Sequence, residues 1–148
     1  MINSEKFIII GSNCFSGACF IDYILGENPE SRVIGISRST EKQAVFLPYK
    51  RFQDERFTFH QLDLNNNLSE IIQTIQGFKP DYIINFSAQG MVAESWISPA
   101  QWFQTNCVSL VQLVHNLRHE TYIKRFIQIS SPEVYGSCVD RILENAPL

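Results

Sequence analysis

The chain has 148 residues, 45% of them apolar and 18% charged, which suits one globular domain with a real core and excludes a disordered chain. A formal net charge of −3 excludes the basic footprint of a nucleic-acid binder. Cys14, Cys19, Cys107 and Cys138 show no CxxC or metal-ligand spacing, so free thiols in a reducing compartment and no metal site are expected.

The first element is Phe7-Ile8-Ile9-Ile10, four apolar residues that run into Gly11. Gly17 follows, and a helical pattern opens with Ala18, Ile21, Ile24 and Leu25. A buried strand, a tight turn and a helix N-terminus form the arrangement that holds a dinucleotide pyrophosphate, because the helix offers unpaired N–H groups and the positive end of its dipole. The middle glycine of such a loop is replaced by Cys14. Gly26 and Asn28-Pro29 end the helix. Val33-Ile34-Gly35-Ile36 is the second strand, with polar Ser37-Arg38-Ser39-Thr40 at its end.

Residues 41–56 hold no clean period; Pro48 and the charges Lys50, Arg51, Asp54, Glu55 and Arg56 suggest a short helix and a loop with a solvated surface. Phe57 to Gln61 is the third strand, leading to Leu62-Asp63-Leu64. Asn65 to Asn67 supply caps for a helix with Leu68, Ile71, Ile72 and Ile75 on one face, stopped by Gly77. Tyr82 to Phe86 is the fourth strand, and a polar, small-residue segment crosses from Ser87 to Ser98. Pro99 opens a long helix whose apolar positions, Phe103, Cys107, Leu110, Val111, Val114 and Leu117, predict a stripe packed on a sheet. Arg125 to Ile129 is the fifth strand.

Five apolar strands alternating with helical segments predict an α/β fold, a doubly wound parallel sheet in the order 3-2-1-4-5. Ligands bind beyond the C-terminal strand ends of such sheets. Small and polar residues gather there: Gly11 to Gly17, Ser37 to Thr40, Asp63, Asn85 to Gly90, and Ser130 to Gly136. No apolar run approaches the ~18 residues of a membrane span, so no membrane partner and a cytoplasmic location are expected.

The glycine loop, Asp63-Leu64, Asn85-Phe86-Ser87-Ala88-Gln89, Thr105-Asn106 and Ser130-Ser131-Pro132-Glu133-Val134-Tyr135-Gly136 together resemble the extended short-chain dehydrogenase/reductases, in particular the nucleotide-sugar epimerases and dehydratases. The resemblance spans essentially the whole chain and implies a Rossmann-type domain over residues 1–148. It implies cofactor contacts from Gly11, Asn13, Cys14, Phe15, Ser16 and Gly17 in the pyrophosphate loop, and from Ser37 and Arg38 after the second strand. Asp63 and Leu64 would meet the adenine. Phe86, Ser87, Ala88, Asn106 and Ser130 would complete the cofactor's surroundings. Ser131 stands at the position that hydrogen-bonds the sugar's C4 oxygen. Glu133 stands where 4,6-dehydratases place the base for the C5 proton, which a ketone at C4 makes acidic. A C4 epimerase has no need of that base, so Glu133 favours a dehydratase.

An NAD site places an acid at the end of the second strand, some 20 residues beyond the glycine loop, to accept from the ribose 2′-OH. Ser37 and Arg38 occupy that place, and no acid follows until Glu41. A guanidinium suits a 2′-phosphate, so NADP is expected ahead of NAD. The Gly-Ile-Ser-Arg-Ser run also looks like the NADP-using GDP-mannose 4,6-dehydratases.

Three features depart from the pattern: Cys14, Gly90-Met91-Val92 where Ser-His-Val is frequent, and Pro132 where many dehydratases carry an aspartic acid. The family's Tyr-x-x-x-Lys pair has no match, since no tyrosine is followed four positions later by lysine. The expectation is therefore the cofactor-binding N-terminal part of a longer enzyme acting on a nucleotide sugar, inactive by itself. An epimerase, a decarboxylase and a non-catalytic nucleotide-binding module are the alternatives. With no sixth strand, the fifth is an open edge that admits self-pairing into a homodimer.

Overall fold

The computed structural model describes residues 4–52, 55–137 and 139–147; Asp54 and Cys138, named above, lie outside them. Five parallel strands, β1 (Lys6–Ile10), β2 (Arg32–Ser37), β3 (Phe57–Gln61), β4 (Tyr82–Asn85) and β5 (Arg125–Gln128), form one sheet. Its order is β3-β2-β1-β4-β5, as expected.

Side chains alternate across a strand, and that period divides the interior in two. Ile8, Ile10, Ile34, Ile36 and Ile83 face one side, where Leu64, Ile71, Ile75, Leu113 and Leu117 cover them. Ile9, Val33 and Ile84 face the other, under Ala18, Ile21, Ile24, Leu25, Leu47 and Tyr49. Each fully buried isoleucine contributes about 1.5–3 kcal/mol relative to exposure, so both faces need a helical cover.

On the second face lies α1 (Phe15–Glu27), which ends at Asn28. Two 3-10 turns, Ala44–Phe46 and Pro48–Phe52, flank it. Of the charges expected on a solvated surface, Arg51 and Glu55 are exposed, and two of the cations also hold α1. Arg51 grips Asp22 of α1 with both Nε (2.8 Å) and Nη2 (2.9 Å). Arg56 donates to the carbonyls of Leu25 (3.1 Å) and Asn28 (3.0 Å), where the dipole of α1 is negative. These cations fasten the irregular segment to the helix.

On the first face lies α2 (Leu68–Phe78). The asparagines before it do not cap it. Asn67 at the N-cap makes no capping bond, because its Oδ1 instead accepts from the Asp63 amide at 3.1 Å. Gly77 does not stop it either: the helix runs to Phe78, and Lys79 takes the left-handed conformation at φ 52°. Pro80 disfavours a helical residue before it, which places the break at Lys79.

The crossing after β4 contains a short helix that the sequence reading missed, α3 (Val92–Ile97). Next come α4 (Pro99–Phe103), a π-helical turn (Gln104–Ser109) and α5 (Leu110–Leu117). The expected stripe is corrected. Ser109, Leu113 and Leu117 are the buried positions, while Phe103 is 67% and Val111 65% exposed, and Cys107 and Val114 are exposed too. The π turn adds residues to one revolution and changes the phase of the helix, so Phe103 no longer shares a face with Leu117.

At the strand starts, Asp81 accepts from the Lys6 amide at 2.9 Å and pairs with Lys124 Nζ at 3.0 Å, tying β1, β4 and β5 together. The opposite, C-terminal ends of the strands are held apart by loops, and the cavities lie there.

Candidate functional site

The turn after β1 is shaped by two contacts that exclude any side chain. Gly11 has φ +88°, a region open to glycine, and a Cβ on it would stand 2.9 Å from the Phe86 carbonyl carbon and the Ser87 amide. A Cβ on Gly17 would meet the Gly11 oxygen at 2.5 Å. Cys14 is the N-cap of α1, and its Sγ accepts from the Gly17 amide at 3.2 Å. The thiol is thus turned back onto the helix, and the Phe15 and Ser16 amides remain without an acceptor among the described residues.

Ser37 ends β2 as a buried hydroxyl, accepting from the Asn13 amide at 3.0 Å and lying 3.3 Å from Ser12 Oγ. Asn13 Nδ2 donates to Ser39 O (3.2 Å), Ser39 Oγ (3.0 Å) and Thr40 O (2.8 Å), which fixes the loop after β2 against the loop after β1. Asn13 Oδ1 is buried with no partner. A buried acceptor left unpaired is costly, and this one suits a hydroxyl donor on a ligand.

Beyond β3, Asp63 accepts from the Asn65 amide and Asn66 Nδ2, each at 2.9 Å. Asn65 then reaches the π turn, donating to Thr105 Oγ1 (2.9 Å) and accepting from Ser109 Oγ (2.8 Å). At the end of β4, Asn85 Nδ2 donates to Gln128 Oε1 (2.7 Å), and Asn85 Oδ1 accepts from the Ser87 amide (3.0 Å) and hydroxyl (2.6 Å). Asn106 closes a two-way pair with the Gln89 backbone, at 2.8 and 3.0 Å.

Two adjoining cavities result. The first, about 250 Å³, is lined by Gly11, Asn13, Cys14, Ser37, Arg38, Asp63, Leu64, Phe86, Ser87 and Ala88 among the residues expected from sequence. The second, about 680 Å³, takes in Asn106, Ser130, Ser131 and Glu133. Ser87, Ala88, Gln89 and Thr105 line both. Phe15 and Ser16 lie outside them, exposed at the start of α1, and Gly17 is buried beneath the loop. In the second cavity Ser131 N-caps a 3-10 turn, Pro132–Tyr135, and its hydroxyl donates to the Glu133 carboxylate.

Lys42, Asn65, Gln89, Gln128 and Trp102 also line the cavities and were not named as site residues from sequence. Of these, Gln89 had a signal in sequence, as the last residue of the Asn85-Phe86-Ser87-Ala88-Gln89 segment. Among the described residues no group of three His, Cys, Asp or Glu could hold a metal, and no helix is long and apolar enough to cross a membrane.

A parallel sheet with a glycine turn, a helix N-terminus and a cavity beyond the strand ends defines a dinucleotide-binding α/β domain. Residues 8–148 match the family model of GDP-mannose 4,6 dehydratase, and the chain belongs to that family. It is 28% identical to a UDP-glucose 4-epimerase of Mycoplasma pneumoniae, over 90% of this chain and 38% of that one. It is 29% identical to a GDP-mannose 4,6-dehydratase of Vibrio cholerae, over 91% and 37%. A crystal structure of UDP-glucose-4-epimerase from Stenotrophomonas maltophila with bound NAD superimposes with a TM-score of 0.80, at 19% identity, over 96% of this chain and 42% of that one; at that identity it speaks for the fold. The chain therefore spans about two-fifths of the length of the curated relatives it matches.

Proposed function

We propose that residues 1–148 form the NADP-binding part of a nucleotide-sugar 4,6-dehydratase. The observation that carries the reading is the pair of cavities with one common wall, Ser87 to Gln89 and Thr105, with Arg38 lining one and the Ser131–Glu133 pair in the other. The residues fit a dinucleotide. The Gly11 turn and the Phe15 and Ser16 amides would hold the pyrophosphate, the unpaired Asn13 Oδ1 would accept from a ribose hydroxyl, and Asp63 and Leu64 would border the adenine. Cys14 does not contradict the fit, because its thiol is turned onto the Gly17 amide.

A nicotinamide held there would supply a reversible hydride acceptor for sugar C4. The chain's own work is in the second cavity. Ser131 Oγ would donate to the C4 oxygen and orient the ring. Glu133 would take the C5 proton, which a neighbouring carbonyl acidifies. The Ser131–Glu133 hydrogen bond keeps the two groups together until substrate separates them. A carboxylate in this cavity favours the dehydratase over the epimerase, whose chemistry at C4 has no use for it.

Calorimetric titration of the chain with NADPH and NADH tests the reading. NADPH is expected to bind more tightly. Binding of neither at millimolar concentration would refute the cofactor site, and tighter binding of NADH would refute the choice of NADP.

A further inference from the structure

The loop after β2 presents two cations to one cavity. Arg38 and Lys42 both line it, and neither side chain has a hydrogen-bonding or ionic partner among the described residues. Beside Lys42 stands Glu41, the one carboxylate between residues 31 and 53. It does not line the cavity. Tyr49 Oη donates to its Oε1 at 3.0 Å, and Lys50 Nζ lies 2.6 Å from its Oε2, so both oxygens are engaged. Burial and the adjoining Glu41 carboxylate push the Tyr49 phenol well above its usual range, so it stays a donor.

The anchor behind this arrangement is rigid. Tyr49 is buried, with its ring 4.4 Å from that of Phe57 on β3. Asn13 holds the backbone of residues 39 and 40 from below. The loop is therefore fixed on both sides of the Glu41-Lys42 step, with the acid turned away and the lysine left at the cavity. The carboxylate that does line this cavity, Asp63, has its oxygens taken by Asn65 and Asn66.

On the cofactor reading above, we infer that Lys42 is a second ligand of the cofactor's 2′-phosphate, and that the Tyr49–Glu41–Lys50 contact sets the site's preference for that phosphate. An acid free to enter the cavity would accept from a ribose 2′-OH and repel a phosphate. Sequestering Glu41 removes that competitor, and Lys42 adds a compact charge beside the planar Arg38 guanidinium. The sequence places Glu41 three residues beyond Arg38, and its contacts with Tyr49 and Lys50 keep it from the cavity.

The test uses the chain itself with four probes: NADPH, NADH, adenosine 2′,5′-bisphosphate and adenosine 5′-monophosphate, each titrated at low and high salt. Lys42→Ala is expected to weaken NADPH and the bisphosphate about tenfold at low salt, the scale of one charge-assisted hydrogen bond. NADH and the monophosphate should stay within about twofold, since they make no such bond. Lys42→Arg should retain most of the affinity. Tyr49→Phe combined with Lys50→Ala should lower the NADPH-to-NADH affinity ratio by freeing Glu41, with the ring packing kept. If Arg38→Ala weakens NADPH while Lys42→Ala leaves it unchanged, Lys42 is no ligand and the inference falls, although the cofactor reading stands. Equal weakening of NADH by Lys42→Ala overturns it too, because the effect would not lie at the 2′-phosphate. A wild-type chain that binds none of the four overturns the cofactor reading, and this assignment with it.

Discussion

Replacing glycine by alanine at two helical positions should produce effects of opposite sign. In α2, Gly77 has nothing within 4 Å of an added Cβ. Alanine there limits the unfolded chain and improves helix propensity, a gain of about 0.4–1 kcal/mol. In α1, the same Cβ on Gly17 would stand 2.5 Å from the Gly11 oxygen, 3.2 Å from its carbonyl carbon and 3.3 Å from Cys14 Sγ. The Gly11 oxygen cannot retreat easily, because it accepts from the Cys14 amide at 3.0 Å while the Gly11 amide is held by Ile36 O at 2.7 Å. Relief requires α1 to move off β1, and overpacking of this kind costs about 1–3 kcal/mol. The propensity gain offsets less than half of the upper value, so Gly17→Ala should lose up to about 2.6 kcal/mol net and fall below Gly77→Ala. Urea denaturation of the two variants and the parent, followed by circular dichroism, measures both. Gly17→Ala as stable as Gly77→Ala would refute the close approach of helix and strand, and with it the shape given to the loop.

Three more outcomes follow from other contacts. Leu113→Ala should cost about 2–5 kcal/mol by opening a cavity under α5, whereas Val111→Ala, 65% exposed, should stay within about 0.5 kcal/mol; the reverse ranking in denaturation midpoints would restore the stripe expected from sequence. Cys14→Ser should raise stability by about 0.5 kcal/mol or more and Cys14→Ala lower it, since a hydroxyl is a better N-cap acceptor than a thiol; thermal melts decide it. Burial alone would raise the Asp81 carboxyl, but the Lys6 amide and the Lys124 ammonium outweigh it and hold it below the usual carboxylate range. Its contribution is therefore complete above the unfolded-state value near 4 and disappears as pH falls through the lower folded-state value. Denaturation midpoints measured from pH 7 to pH 2 should show Asp81→Asn less stable at neutral pH, with the gap closing in acid; a gap that widens in acid would refute the assignment.

What the sequence made legible was whatever depends on period and punctuation. The alternation of isoleucine-rich runs with helical segments led to the strand order, and Gly11 to Gly17 marked the turn. Side-chain choices between competing partners were not legible. Asn67 had a helix amide and the Asp63 amide within reach, and only the folded loop decides for the second. Likewise Arg51 and Arg56 read as solvated charges, and their hold on α1 shows only in the fold. The stripe of the last helix failed for another reason: a π turn has no sequence signature, yet it changes which side chains meet the sheet. At the site, most of the motif residues that line the cavities follow strand ends, which the order of elements marks, whereas Thr105-Asn106 lie in the π turn. Lys42 was passed over because its meaning depends on where Glu41 points, which is set by Tyr49, seven residues beyond Lys42 in the chain.

The apolar run of β1 has a further consequence. Ile8, Ile9 and Ile10 are alike and buried on both faces, so sliding the strand by one residue would exchange isoleucine for isoleucine at two of the three positions and bring Phe7 or Gly11 into the third. Hydrophobic pattern, which normally fixes alignment where one face is wet, is a weak guide here. The alignment is specified at the two ends, by Asp81 on the Lys6 amide and by the Gly11 amide on Ile36. The turn that shapes the cavity thus also serves as the strand's alignment key. A substitution at Gly11 should be read as two lesions at once: a damaged cavity, and a central strand free to pair out of step.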